Sequence, residues 1–228
     1  MLKVSRQPDG QPEIFHSVQG EGVNAGKPAV FLRLALCNLA CAWCDTRYTW
    51  DWEHYDQRRE VVAISVDEAE EGIRRYGCPN LVVTGGEPLV QQRALTPMLE
   101  RLEDGGSWIE VETNGTIVPG KKLLEIVDLE NSGNTLPARE NSRALRLFRD
   151  LPSAHFKYVL EKPDDLAEIR ALLAKYELPA DRIVLMPQAQ DRDTLLERSR
   201  WLVDICKSEG YLFSTRLQVL LWGNRRGV

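Results

Sequence analysis

The sequence predicts an α/β fold, a partial (β/α)6-type barrel of mainly parallel strands. Three observations point there. Strand-like and helix-like segments alternate almost throughout the 228 residues, and repeated βα units imply parallel strands joined by right-handed crossovers. The units are too few for an eight-stranded barrel, so the sheet stays open or partly closed. The residues with evident chemistry gather just after strands: Cys37, then Gly85-Gly86, then Asn114-Gly115. In such folds the site lies at the carboxyl ends of the strands.

The elements follow in order. Val30 to Leu36 (VFLRLAL) is an apolar run and reads as a buried strand. Ser65-Val66-Asp67-Glu68 is a capping box that opens a helix to about Tyr76. Asn80 to Thr84 (NLVVT) is a strand stopped by the glycine pair. Arg93 to Glu103 carries Leu95, Met98, Leu99 and Leu102 at helical spacing. Trp108 to Thr113 (WIEVET) alternates as a strand does. Lys121 to Val127 and Ser142 to Arg149 are short helices. His155 to Leu160 is a strand, Asp164 to Tyr176 a helix, Arg182 to Met186 a strand, Thr194 to Glu209 a long helix, and Tyr211 to Ser214 a last short strand. One place breaks the alternation. After Lys121 to Val127 a strand is due, yet only Val127-Asp128-Leu129 precedes the polar run ENSGNTLPAREN. Three residues are short against the usual ~5–6.

Composition narrows the function classes. With 43% hydrophobic residues the chain can bury one sizeable core, so residues 1–228 read as one domain. A net charge of −5 gives no basic field for nucleic acid or an anionic membrane, and Arg225-Arg226 is too short to change that. No apolar run approaches the ~20 residues of a membrane helix. The opening MLKVSRQPDGQPEIF lacks the apolar core of a signal peptide. The expected compartment is the cytoplasm, where thiols stay reduced and an odd total of five cysteines is unremarked.

Cys37, Cys41 and Cys44 form C-x3-C-x2-C, which points to metal rather than to cross-linking. Structural zinc wants four ligands. The remaining cysteines, Cys78 and Cys206, are distant, sit in or beside apolar elements and read as small buried side chains. His54, the nearest histidine, lies in a charged, Trp-rich loop, Asp51 to Glu60, that is a candidate lid. Three thiolates on a four-iron cluster leave one iron open to a substrate or cofactor, whereas four protein ligands is the usual count. The spacing favours such a cluster over zinc and leaves zinc open.

C-x3-C-x2-C at the end of the first strand, with the aromatic Trp43 before the last cysteine, resembles the radical S-adenosylmethionine superfamily, as does TGGEP at 84–88. The segments EIFHSVQGEG (13–22), GKPAVFLRLALCNLACAWCDTRYTW (26–50), TGGEP and ETNGT (112–116) closely resemble the 7-carboxy-7-deazaguanine synthase family. The likeness continues more loosely through FKYVL (156–160), LMPQ (185–188) and WGNRRGV (222–228). It implies a radical S-adenosylmethionine fold and a lyase that converts 6-carboxy-5,6,7,8-tetrahydropterin to 7-carboxy-7-deazaguanine with loss of ammonia, in queuosine and related deazapurine biosynthesis. It implies that Cys37, Cys41 and Cys44 hold a [4Fe–4S] cluster whose open iron binds S-adenosylmethionine, and that an electron from the cluster releases a 5′-deoxyadenosyl radical. A homodimer and a flavodoxin-like or other electron donor come with the resemblance.

Residue roles are implied in the same way. Thr46 matches a Mg²⁺ ligand, against the plainer role of a turn or cap hydroxyl. Val18, Gln19 and Gly20 match a segment lining the pterin, against an ordinary loop. Arg33, inside an apolar strand, must find an anion; either the substrate carboxylate or a salt bridge with Glu21 would serve. Thr84 matches a substrate contact and Gly86 a cofactor contact, where a side chain would block close backbone approach. Trp43 matches packing on the cofactor adenine, Asp45 lies in the cofactor-binding run beside Cys44, and Gln188 matches another cofactor contact. Glu87 and Glu112 fit orienting roles better than roles as bases. Val228 falls where the family has a C-terminal carboxylate near the substrate.

Two departures stand out. Gln218 occupies a position where many members carry histidine, and an amide cannot supply a proton. Members usually have a strand ending in Ser-Pro-Lys before a run like LENSG, whereas here Leu129 leads directly into Glu130-Asn131-Ser132-Gly133. About six residues are missing by ordinary strand length. Either they are absent from the sequence as read, or the chain carries a true deletion that weakens cofactor binding and the sheet. An intact mass near 25.9 kDa is the expected result for a deletion, and a heavier one for an omission.

Overall fold

The computed structural model describes residues 1–126, 128–133 and 140–228, the stretch 128–133 by its backbone alone. Its frame is a ten-stranded sheet. The strands are β1 (Leu2–Ser5), β2 (Ile14–Val18), β3 (Pro28–Leu34), β4 (Val61–Ile64), β5 (Asn80–Gly85), β6 (Trp108–Thr113), β7 (Asp128–Gly133), β8 (His155–Leu160), β9 (Ile183–Pro187) and β10 (Leu212–Phe213). Their order is β10-β9-β8-β7-β6-β5-β3-β1-β4, with β2 paired to β3 off that path. Every pairing from β3 through β5 to β10 is parallel. β1 and β2 run antiparallel to β3, and β4 antiparallel to β1. The ends β10 and β4 do not pair, so the barrel is partial, as the number of βα units requires.

The helices are α1 (Gln57–Glu60), α2 (Val66–Arg74), α3 (Gln92–Asp104), α4 (Lys121–Ile126), α5 (Ser142–Asp150), α6 (Leu166–Tyr176), α7 (Arg192–Glu209) and α8 (Leu217–Trp222). The capping box forms: the Glu68 amide donates to Ser65 Oγ at 3.0 Å and the Ser65 amide to Glu68 Oε2 at 2.6 Å. The four apolar positions read on α3 are the ones it buries, Leu95, Met98, Leu99 and Leu102. Asp164 falls within a 3-10 turn, Pro163–Asp165, and the helix itself starts at Leu166. No helix among the described residues is long and apolar enough to cross a membrane.

Strand periodicity divides the sheet into two chemically distinct faces. Val30, Leu32 and Leu34 of β3, Leu81 and Val83 of β5, Ile109 and Val111 of β6, Phe156 and Tyr158 of β8, and Ile183 and Leu185 of β9 pack with the helices in one core. The alternate residues face the other way, and there the strands carry Arg33, Thr84, Glu112 and Lys157 beside Phe31 and Met186. Burying about 2 kcal/mol of apolar side chain at each outer position holds the register that aims these polar groups inward.

Three strands, β1, β2 and β4, escape the sequence reading. Each is four or five residues long. β1 finds β4 across almost sixty residues, with Leu2 opposite Ile64 and Ser5 opposite Val61, a pairing that local periodicity does not carry. The break after α4 is also resolved differently. The strand due there is not the three residues Val127-Asp128-Leu129 but β7, six residues that use the polar DLENSG itself. β7 pairs with β6 and β8 on either side. A central parallel strand normally reads as a continuous apolar run, and DLENSG does not. Val127 and most of the run beyond Gly133 (134–139) lie outside the described residues.

Candidate active site

A cavity of about 250 Å³ opens at the carboxyl ends of the parallel strands, on the polar face of the sheet. Every residue matched above to a metal, cofactor or substrate role lines it: Val18, Gln19, Gly20, Arg33, Cys37, Cys41, Trp43, Cys44, Asp45, Thr46, Thr84, Gly86, Gln188 and Val228; Glu112 and Gln218 line it too, whereas Glu87 does not. The Asp51–Glu60 loop does not line it. Its first residue, Asp51, holds Arg47 at 2.6 Å and His54 at 3.0 Å. The last residues, Gly223 to Val228, border the cavity instead. Arg226 anchors them through Glu60 at 3.0 Å, the Arg6 carbonyl at 2.6 Å and the Tyr48 ring at 3.3 Å.

The cysteine loop leaves β3 through a tight turn. Leu36 has φ 74°, a strained value for a β-carbon residue. It is held by its amide to the Thr49 carbonyl and by the Glu87 amide to its own carbonyl, both at 2.8 Å. The glycine pair makes this packing possible. A β-carbon on Gly85 would lie 2.0 Å from the Leu34 oxygen, and one on Gly86 would lie 2.1 Å from the Leu36 oxygen and 3.1 Å from the Cys37 nitrogen. The backbone that approaches Gly86 thus belongs to the cysteine loop. Gly86→Ala should displace that loop, cost about 3 kcal/mol in denaturant unfolding and lower the iron bound per chain after reconstitution.

Glu87 fixes the neighbouring loop: it accepts hydrogen bonds from the amides of Leu89 and Asn114 at 2.8 and 2.7 Å and from the Thr113 hydroxyl at 2.9 Å. Burial nevertheless pushes its carboxyl up to about 7. Asn114 in turn donates to Asn38 at 3.0 Å, and Asn38 to Thr116 at 2.7 Å, tying the cysteine loop to the end of β6.

None of the five cysteines is joined in a disulfide. Burial pushes Cys37 up to about 12, so the thiol keeps its proton until a cation takes the sulfur. Several donors face the sulfurs. The Leu39 amide lies 3.5 Å and Asn114 Nδ2 3.8 Å from Cys37 Sγ, and Trp50 Nε1 lies 3.3 Å from Cys44 Sγ. Among the described residues no three His, Cys, Asp or Glu side chains converge as they would around a single ion. Three sulfurs on one loop without a fourth ligand fit one face of an iron–sulfur cubane better than tetrahedral zinc. Cys206 is buried in the core and Cys78 packs half-buried against it. Thr46 precedes the 3-10 turn Arg47–Thr49 without capping it through its side chain; its hydroxyl lies 3.5 Å from Cys44 Sγ.

The floor of the cavity is charged. Arg33 pairs with Glu13 at 2.9 Å, not with Glu21, because both residues face the same side where β2 approaches β3. Tyr48 also donates to Glu13, at 3.1 Å. Burial disfavours the Arg33 charge, but Tyr48, Glu13, Asp45 and Glu112 keep its pKa above the usual arginine value. Only its Nε is engaged among the described residues, which leaves the terminal nitrogens for an anion. Glu21 instead accepts from Lys157 at 2.8 Å, Arg216 at 3.0 Å and Gln218 at 2.7 Å. Burial alone would raise the Glu21 carboxyl, yet Lys157 and Arg216 hold it well below the usual carboxylate range. Arg216 also reaches Asp45 beside the third cysteine. Glu112 accepts from Thr84 at 2.5 Å and from Gln19 at 3.4 Å, and Gln19 also donates to Glu110. Gly20 leaves room for Gln218, whose oxygen would meet a β-carbon there at 1.9 Å. Gln188 has its side-chain oxygen on Arg198 at 2.5 Å.

The residues missed in the sequence are Glu13, Tyr48, Trp50, Lys157 and Arg216. Lys157 had a readable signal: a cation inside HFKYVL is the same anomaly as Arg33 inside VFLRLAL. Glu13, Tyr48 and Trp50 sit in motif segments, whereas Arg216 lies outside them and its partners Glu21 and Asp45 are far away in the chain.

Comparison with known proteins agrees with this geometry. Residues 34–197 match the radical SAM superfamily. A 7-carboxy-7-deazaguanine synthase of Pyrobaculum aerophilum is 36% identical over 94% of this chain and 95% of its own length. Synthases of the same name from Hyperthermus butylicus and Rhodopirellula baltica are 32% and 30% identical, covering 92% and 95% of this chain and 91% and 87% of theirs. The crystal structure of QueE from Escherichia coli superposes with a TM-score of 0.73 and 25% identity, over 95% of this chain and 94% of that one. The cysteine loop, the glycine pair against it and the open parallel sheet therefore have a common explanation: this chain belongs to the 7-carboxy-7-deazaguanine synthase family of the radical SAM superfamily.

Proposed function

We infer that this chain catalyses the conversion of 6-carboxy-5,6,7,8-tetrahydropterin to 7-carboxy-7-deazaguanine with loss of ammonia, a step of queuosine and 7-deazapurine biosynthesis. The observation that carries this is the C-x3-C-x2-C loop at the mouth of the charged cavity, in a chain 36% identical over almost its whole length to a synthase of that name. Cys37, Cys41 and Cys44 hold the [4Fe–4S] cluster. Bound together, cluster and S-adenosylmethionine supply a hydrogen-abstracting radical; the protein's part is orientation and exclusion of water. Trp43, Asp45, Gly86 and Gln188 border the cofactor. Arg33 offers its terminal nitrogens to the substrate carboxylate, for which a planar fork is suited. Val18, Gln19, Gly20, Thr84 and Val228 border the pterin, and Thr46 supplies a hydroxyl to Mg²⁺. Residues 1–228 act as one domain, in a cytoplasmic homodimer served by a flavodoxin-like or other electron donor.

The relatives named above favour neither a glycyl-radical activase nor a member weakened by a lost strand. Anaerobic incubation with the carboxypterin, S-adenosylmethionine, Mg²⁺ and a reductant tests the assignment. Product without any protein partner is expected; dependence on a partner protein would favour the activase.

A further inference from the structure

We propose that Trp50 is a positioning residue that tunes the reduction potential of the cluster by donating its indole N–H to Cys44. Cys44 as a cluster ligand is taken from the function proposed above; the assignment to Trp50 comes from geometry. Nε1 lies 3.3 Å from Cys44 Sγ, shorter than the approach of the Leu39 amide or of Asn114 to Cys37. The indole is fixed from behind. Trp50 closes the turn Arg47–Thr49, its amide bonded to the Arg47 carbonyl at 3.0 Å. The Arg47 guanidinium lies 5.8 Å from the ring centroid. Arg47 is in turn anchored by two nitrogens to the buried Asp51, at 3.0 and 2.6 Å. Asp51, Arg47 and Trp50 form a relay of contacts that ends on a cluster sulfur. A hydrogen bond to a ligating sulfur draws charge from it, stabilises the more negative reduced cluster and raises its potential.

The test uses the reconstituted full-length holoenzyme. Trp50→Phe keeps the ring and removes the donor. With iron content and absorbance near ~400 nm unchanged, the reduction equilibrium, followed by electron paramagnetic resonance in a redox titration, is expected to shift about tenfold toward the oxidised cluster. For a one-electron couple that is a fall of about 59 mV. Arg47→Met, which keeps the indole but frees it, should move the potential in the same direction by less. An unchanged potential in Trp50→Phe overturns the assignment. Should that variant hold no cluster, the wild-type holoenzyme decides. With 15N-labelled tryptophan, electron–nuclear double resonance of the reduced cluster should show an indole 15N coupling and a proton coupling lost in deuterium oxide. Their absence overturns the role of Trp50. A wild-type chain that assembles no iron cluster overturns the cluster ligation itself, a separate outcome.

Discussion

Cys41→Ala is expected to bring product formation to the detection limit. Cys41 is buried on the loop between its two partner cysteines, and in the function proposed above the chemistry belongs to the cluster assigned to those three thiolates. Two remaining thiolates leave a second iron open to solvent and to loss. Anaerobic reconstitution followed by iron analysis, absorbance near ~400 nm and mass-spectrometric detection of the deazaguanine reads both halves of the claim. Cys206→Ala is the control: that thiol sits on the core-facing side of α7, away from the cavity, and its loss should cost about 1–2 kcal/mol of stability while turnover persists. Turnover by the Cys41 variant would sink the assignment of the cluster to this loop.

Glu21→Gln is expected to destabilise the protein by about 3–5 kcal/mol at neutral pH. The carboxylate is shared by Lys157, whose side chain is 2% exposed, and Arg216, at 9%. Removing the anion strips both buried cations of the partner they share, leaving Lys157 with Glu112 at 3.5 Å and Arg216 with Asp45. The pH dependence follows from the depressed carboxyl. Its contribution is complete above the ordinary glutamate value of 4.5 and is lost as pH falls through the lower folded value. The deficit of the variant should therefore be level from neutral pH down to about 4.5 and shrink in more acidic solution. Urea unfolding of both proteins at neutral pH and near pH 4 measures it. A deficit under about 1 kcal/mol, the scale of an exposed ion pair, or one that deepens with acid, would show that Glu21 does not neutralise the pair.

The contrast between Arg33 and its partners shows where sequence reasoning stopped. A guanidinium in VFLRLAL demands an anion, and that demand is local. Which anion answers depends on how β2 lies against β3 and where the segment after β2 points, which put Glu13 on Arg33 and send Glu21 to Lys157 and Arg216. The same holds for Gly86. Its need for an absent side chain is legible in TGGEP, but the group that comes close is the Leu36–Cys37 backbone. The helices and buried parallel strands were readable because their periodicity is carried by neighbouring residues. β1, β4 and the polar β7 were not, because their pairing partners, rather than their own composition, make them strands.

By itself the sequence determined the alternation of strands and helices, the cysteine trio and the glycine pair, and hence the place of the chemistry at the strand ends. These features rest on side-chain type and spacing, which a linear chain displays in full. Tertiary structure alone decided the charge pairing of the cavity floor, the donors aimed at the sulfurs and the place of the C-terminal segment beside the cavity. Those depend on distances between residues far apart in the chain, and such distances exist only once strand register and packing have brought the residues together.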